Sequence, residues 1–361
     1  MKPRNKNDVK YFVFLDGLRG LAAISVVLLH WLDGHARTMF GSSILAVDFF
    51  FLLSGFVIAH AYEERLSNGY ARSTFFFTRL IRLWPLIALG ALLGAMRFLM
   101  KGLLEHDESL VATSLFQTVT TLIMVPTGYE KVVELFPLNA PLWSLHFELL
   151  AYLAFGLWMF RARTRSLLIL SGLAAAFYLW AESSEHVLGG GYLLGLSRIC
   201  LSFPLGVVLC RERERFLELH LPSGAWLTLP MLALFALPRP YVPPIVALLV
   251  MLVAFPYVLI SGSRVQLSPI TSRLGKLSGE ISYPLYVLHL PLMWTMNRSF
   301  LSLGLSTDEA IVWWGFLIIP SLVAMAYFAF TYFDKPVRRW LTSKIAPRIQ
   351  TSEPKAIQAN S

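Results

Sequence analysis

YFVFLDGLRGLAAISVVLLHWL, residues 11–32, decides the fold. At 1.5 Å per residue, a helix of this length crosses the roughly 30 Å hydrocarbon core of a bilayer. It is too long for the core of a signal peptide and no small-x-small cleavage site follows it, so it is expected to stay as a first helix. Three ionisable residues, Asp16, Arg19 and His30, interrupt it. Charged and titratable groups at membrane depth are costly and are candidates for function. Eleven positions at 100° each make three turns and about 20°, so Arg19 and His30 share one helix face, about 16 Å apart along the axis.

Outward from this block, apolar stretches of similar length recur. They run Ser43–Tyr62, Phe75–Leu99, Leu142–Phe160, Ser166–Ala181 and Leu193–Cys210, then Leu221–Leu237, Pro243–Ile260, Leu277–Met296 and Ala310–Phe333. The chain is 56% hydrophobic and 15% charged, against about 25% charged in soluble domains. The pattern predicts an all-α polytopic membrane protein with ten transmembrane helices. Leu110–Val125, apolar but rich in threonine, is expected to re-enter or lie at the interface. The domains expected are a cytoplasmic segment (residues 1–10), a membrane domain (11–341) and a disordered cytoplasmic tail (342–361).

Charge sets the orientation. With the N-terminus inside, the inner segments hold twenty-three lysines and arginines and the outer segments seven, with Arg19 left inside a helix. Cytoplasmic loops carry the excess of Lys and Arg, so both termini are expected in the cytoplasm. The net charge of +9 lies in short clusters between apolar blocks rather than on a soluble basic face, so no nucleic acid is expected. Cys200 and Cys210 are too far apart for a C-x-x-C metal pair and read as inert; no metal is expected.

Further candidates follow along the chain. Arg79 and Arg82 are neighbours on one face at the start of a helix, where an anion is also favoured by the helix dipole. The plain alternative is a positive-inside anchor. Glu148 sits a turn and a half into an apolar helix, where a carboxylate needs a partner or must be neutral. Trp143 alone fits an aromatic belt. Ser282-Tyr283-Pro284-Leu285-Tyr286 leads to His289, and a lone helix histidine is most simply a packing or interhelical residue.

In order along the chain stand Leu15-Asp16-Gly17-Leu18-Arg19-Gly20 with His30, Asp48-Phe49-Phe50-Phe51-Leu52-Leu53-Ser54-Gly55-Phe56, and the Arg79/Arg82 pair. Trp143-Ser144-Leu145 through Glu148, the Ser282–Tyr286 stretch with His289, and Asp334-Lys335-Pro336-Val337-Arg338-Arg339 complete the series. Together these resemble the acyltransferase-3 family of membrane acyltransferases, over about residues 11–341. His146 stands where a serine is common in that family, and Asp334 where a glutamate is common. The first bears on acceptor choice, the second on an inner-face ion pair.

The resemblance implies transfer of an acyl group, usually acetyl, from cytoplasmic acyl-coenzyme A (acetyl-CoA) to a hydroxyl. The acceptor would be a glycan, a lipid-linked sugar or a related molecule at a bacterial inner membrane. His30 would be the general base, with Arg19 stabilising negative charge or holding the donor path. Glu148 would orient His30 or bind acceptor hydroxyls, and an acyl-enzyme on His30 is equally compatible. Arg79 and Arg82 would hold the coenzyme, and Trp143, Ser144, His146, Tyr283 and His289 would line the substrate site. The alternatives are a transporter or flippase for a polar solute using the same intramembrane charges, and a sensory or scaffold protein, which leaves the arginine pair without a role.

Overall fold

Apolar runs punctuated by glycine and proline fold entirely into helices in the computed structural model, which describes residues 12–33, 39–128, 131, 134–183, 190–218, 226, 228–302 and 308–350. The helices are α1 (Val13–Asp33), α2 (Leu45–Ser67), α3 (Arg72–Leu104), α4 (Glu108–Leu122) and α5 (Leu142–Leu157), then α6 (Thr164–Ser183), α7 (Gly190–Arg211), α8 (Arg213–Glu218), α9 (Thr228–Ala236) and α10 (Pro244–Leu249). The series ends with α11 (Phe255–Gly262), α12 (Pro269–Ser302), α13 (Asp308–Phe328) and α14 (Lys335–Gln350). No strand occurs among the described residues.

Seven stretches are long and apolar enough to cross a membrane: Val13–Leu32, Gly41–Ser67, Arg72–Leu104, Thr164–Glu182, Gly191–Arg211, Pro244–Gly262 and Gly315–Lys344. The other three expected spans fall at α5, α9 and α12, which are not among these seven, and residues 221–225 and 227 of the expected Leu221–Leu237 span lie outside the described residues. Helix α4 has 15 residues, about 22 Å. It exposes Leu115, Phe116, Val119 and Ile123, while Ser114, Thr118 and Thr120 turn their hydroxyls back onto carbonyls of the preceding turn. Helix α14 runs from Lys335 to Gln350. Residues 1–11 and 351–361 lie outside the described residues.

The chain divides into two compact units. The first comprises Met1–Glu64, Arg163–Glu185 and Ser197–Tyr286. Here small residues let backbones touch. A Cβ on Gly20 of α1 would stand 1.8 Å from Ser278 Oγ of α12, and one on Gly279 would stand 2.6 Å from the Asp16 side chain. Ser278 donates to the Gly17 carbonyl at 3.2 Å. Helices α2 and α7 repeat the device: a Cβ on Gly55 would lie 2.0 Å from the Phe203 carbonyl oxygen, and one on Gly206 2.1 Å from that of Leu52. In lipid, where apolar burial gives little drive, such close packing is what joins helices. Phe49, Phe235 and Phe255 fill the core of this unit by edge and tilted ring contacts.

The second unit comprises Arg65–Ala162, His186–Leu196 and Val287–Ser361. Helix α3 carries α4, α5 and α14 against it. Gly94 of α3 meets the Leu138 carbonyl, where a Cβ would stand 2.0 Å away. Beside it, the buried Asn139 amide donates to the Val287 carbonyl of α12 at 2.9 Å. The residue four places on from Val287 is Pro291, which has no N–H to give that carbonyl. Asn139 therefore replaces a donor that proline removes, as a helix in lipid requires.

Two wide π turns interrupt the late helices, Val250–Ala254 and Ala329–Asp334. Each is followed within two residues by a proline, Pro256 and Pro336. A proline inside a helix clashes with the carbonyl four residues back, and a widened turn relieves that clash.

Candidate functional site

Within the first unit, the face of α1 carries both sequence candidates. Arg19 pairs with Asp16 one turn below it, Nη1 to Oδ1 at 3.4 Å, with both side chains largely covered. Asp16 in turn lies against Gly279. His30 is in the last turn of α1 and half-buried. Helical rise keeps Arg19 about 16 Å from His30, so the two do not act on one atom. The small Ala22 and Ala23 between them are fully buried. Tyr283 is half-buried on α12, beside a buried Tyr286 that meets Phe50 edge-on at 5.8 Å.

The same unit contains an ion pair that the sequence reading missed. Asp48, in the apolar run of α2, is wholly buried and receives Arg198 Nε at 2.9 Å and Nη2 at 2.5 Å on its two oxygens. Arg198 Nη2 also donates to the Ile44 carbonyl at 2.8 Å. The count of charges placed Arg198 in an outer segment; it lies inside α7, with 6% of its side chain exposed. Its guanidinium fork meets both oxygens of one carboxylate, the strong geometry for such a pair.

In the second unit, Arg79 is half-buried and Arg82 exposed, one turn apart on α3. The charge of Arg82 acts on Asp334, the last residue of the π turn before α14. Asp334 is buried and pairs with Arg338 at 2.5 Å. Asp334 thus takes part in an ion pair, and its charge links Arg82 of α3 electrostatically to the basic helix α14.

Helix α5 holds the remaining candidates. Trp143 and Ser144 are buried, and Ser144 Oγ donates to the Pro141 carbonyl at 3.1 Å. Glu148 is half-buried and accepts a short hydrogen bond from the Tyr152 hydroxyl, one turn on. His146 Nδ1 lies 2.8 Å from the Met124 carbonyl and Nε2 3.3 Å from the Tyr192 hydroxyl. A carbonyl only accepts, so Nδ1 carries the proton and Nε2 accepts from Tyr192 in the neutral ring. Met124 has a positive φ of 57°, rare outside glycine, and His146 holds this turn after α4 in place. The ring of His146 also packs on Phe147 and Tyr192. His289 is fully buried on α12.

Tyr152 was findable in the sequence, being four residues past Glu148 on one helix face. Tyr192 and Arg198 were not, because no local pattern signals a partner so distant in the chain. No group of three or more histidine, cysteine or acidic residues that could hold a metal is found among the described residues.

The sequence matches the family described as "Acyltransferase domain" over residues 12–331. It is 35% identical over 187 residues to "Protein 2 in picA locus" of Rhizobium radiobacter, covering 48% of this chain and 95% of that protein. It is 28% identical over 156 residues to a protein of Staphylococcus aureus (strain COL) that carries a provisional name as an O-acetyltransferase. That match covers 41% of this chain and 24% of the staphylococcal protein, and the Staphylococcus aureus (strain MSSA476) counterpart matches equally. The chain thus spans about a quarter of the length of these staphylococcal relatives. No solved structure matches.

Proposed function

The chain belongs to the acyltransferase family whose domain covers residues 12–331, and from that premise we propose that it transfers an acetyl group from cytoplasmic acetyl-coenzyme A to a hydroxyl of a glycan or related acceptor. The observation that carries this reading is the family match, which spans His30, the Arg79/Arg82 pair and Glu148 in one continuous domain. The provisional O-acetyltransferase name of the staphylococcal relatives supports acetyl as the group moved.

In the proposed reaction, the acceptor oxygen attacks the thioester carbonyl carbon and its proton passes to His30. A C–O ester bond forms and the C–S bond breaks. The sulfur leaves as a thiolate and takes the proton back from the imidazolium, which returns neutral His30 and free coenzyme A. An imidazole, which can take a proton and return it, suits this exchange. Arg79 and Arg82 hold the donor phosphates through paired guanidinium hydrogen bonds. Glu148, oriented by Tyr152, receives acceptor hydroxyls. Arg19, held by Asp16 a long way down α1 from His30, serves the donor path. In this reading ten crossings set both termini on one side of the membrane, and the excess of lysine and arginine in the inner segments assigns that side to the cytoplasm, with the donor.

The test is donor binding and acetyl transfer by the purified protein in detergent. Wild-type protein should bind acetyl-coenzyme A and release free thiol when given a glycan acceptor. The Arg79→Ala/Arg82→Ala protein should bind the donor at least tenfold more weakly while remaining correctly inserted. Unchanged donor affinity in that variant would make the pair a topological anchor and refute the assignment.

A further inference from the structure

Past Pro336 the chain changes character. Residues 335–350 contain Lys335, Arg338, Arg339, Lys344 and Arg348 and no acidic residue. Lys335, Arg338, Arg339 and Thr342 stand at positions i, i+3, i+4 and i+7, which places them on one face of α14. With Ser343 they line an open surface pocket of about 450 Å³. Two of its cations are pre-positioned. The Arg338 guanidinium is fixed by Asp334 at 2.5 Å and lies 5.6 Å from the centre of the Phe330 ring. The Lys335 ammonium lies 5.7 Å from the same ring centre. Three cations and the Thr342 hydroxyl thus line one pocket, and one of the three, Arg338, is held by Asp334.

We propose that this cavity is a phosphate-binding site on α14, distinct from the Arg79/Arg82 pair of α3. A guanidinium fork, an ammonium and a hydroxyl on one helix face are the groups that recognise a phosphate ester. Two sources carry that chemistry: the headgroup of an anionic lipid and the phosphates of coenzyme A. The surroundings resemble headgroup depth. The cavity lies at the end of the apolar stretch Gly315–Lys344, flanked by Tyr332 at 72% and Trp340 at 60% exposure, and aromatic rings of this kind collect at the membrane–water interface. Only the coenzyme source rests on the acetyl-transfer reading.

The experiment measures binding of two probes, dioctanoyl-phosphatidylglycerol and coenzyme A, to the full-length purified protein. The variant is Lys335→Gln/Arg339→Gln, which spares the Arg338–Asp334 pair. Each cation near a membrane surface contributes about 1 kcal/mol toward anionic lipid, so removing two should weaken the bound probe about 30-fold. Loss confined to the lipid identifies a headgroup site, and loss confined to coenzyme A identifies a donor site. Loss of both identifies a shared phosphate site. The Arg79→Ala/Arg82→Ala protein separates this result from the donor assignment on α3, because it should keep its lipid affinity. If the double glutamine variant does not fold, Thr342→Glu, which sets a negative charge on the rim, replaces it and should weaken the same probe. Unchanged affinity for both probes in a folded variant overturns the proposal.

Discussion

Removing Arg198 should damage the protein far more than removing the whole charge pair it belongs to. In the folded protein, Asp48 is fully buried and both its oxygens are taken by the Arg198 guanidinium, at 2.9 and 2.5 Å. Arg198→Met keeps most of the volume and leaves the carboxylate in an apolar surround with no counter-charge. Breaking a buried pair in this way costs about 3–5 kcal/mol, against near neutrality when both partners become apolar together. The single variant should therefore shift the folding equilibrium by roughly two to nearly four orders of magnitude. The freed Ile44 carbonyl, which also accepts from Arg198, adds to the cost. Asp48→Leu/Arg198→Met should recover most of the loss. The assay is retention of monodisperse protein in detergent over a temperature series, with both single variants and the double one completing a thermodynamic cycle. A single variant as stable as wild type, or a double variant no better than Arg198→Met, would show that the pair is not what joins α2 to α7.

Four further outcomes are expected. His30→Ala should lower acetyl transfer by roughly 10²–10⁴-fold, the worth of a general base, with donor affinity kept; a change of a few-fold in turnover would remove His30 from the mechanism. Gly55→Ala should destabilise by about 1–3 kcal/mol, because its Cβ would meet the Phe203 carbonyl oxygen at 2.0 Å; thermal stability in detergent measures this, and wild-type stability would show that the two helices part freely. Asn139→Leu leaves the Val287 carbonyl without its donor and should cost about 1–3 kcal/mol, read by the same method. A reporter fused after Arg165 should face the cytoplasm, and an external signal there would break the proposed topology.

Much of the fold was legible because its signals are local. A block of about twenty apolar residues is a statement about one helix, so α1, α2, α3, α6, α7, the Pro244–Gly262 stretch and α13 stood out from composition alone. Helix α9, with nine residues, and α12, with charged residues in its opening turns, do not make that statement clearly. At the site, Asp16 and Arg19 were readable as a pair because helix geometry joins positions three apart. Arg198 finds Asp48 across 150 positions, and His146 grips Met124 across 22; neither has a periodicity to announce it. Gly20, Gly275 and Gly279 were visible as letters, but their reason, an atom of the facing helix under 3 Å from any added Cβ, exists only once the helices meet.

The π turn at Ala329–Asp334 has a consequence for the angular phase of everything after it. Such a turn accommodates one more residue than an α turn, so it offsets the following helix by about 100° from where an uninterrupted helix would point. The outward stripe of α13, with Phe316, Leu317 and Phe328 exposed, and the basic stripe of α14 are thereby uncoupled. One can face acyl chains while the other takes its own bearing at the bilayer surface. The extra residue acts as a rotary joint set by sequence. Deleting any single residue within 329–334 would accordingly close the wide turn to an ordinary α turn and leave Lys335, Arg338 and Arg339 at nearly the bearing they hold now.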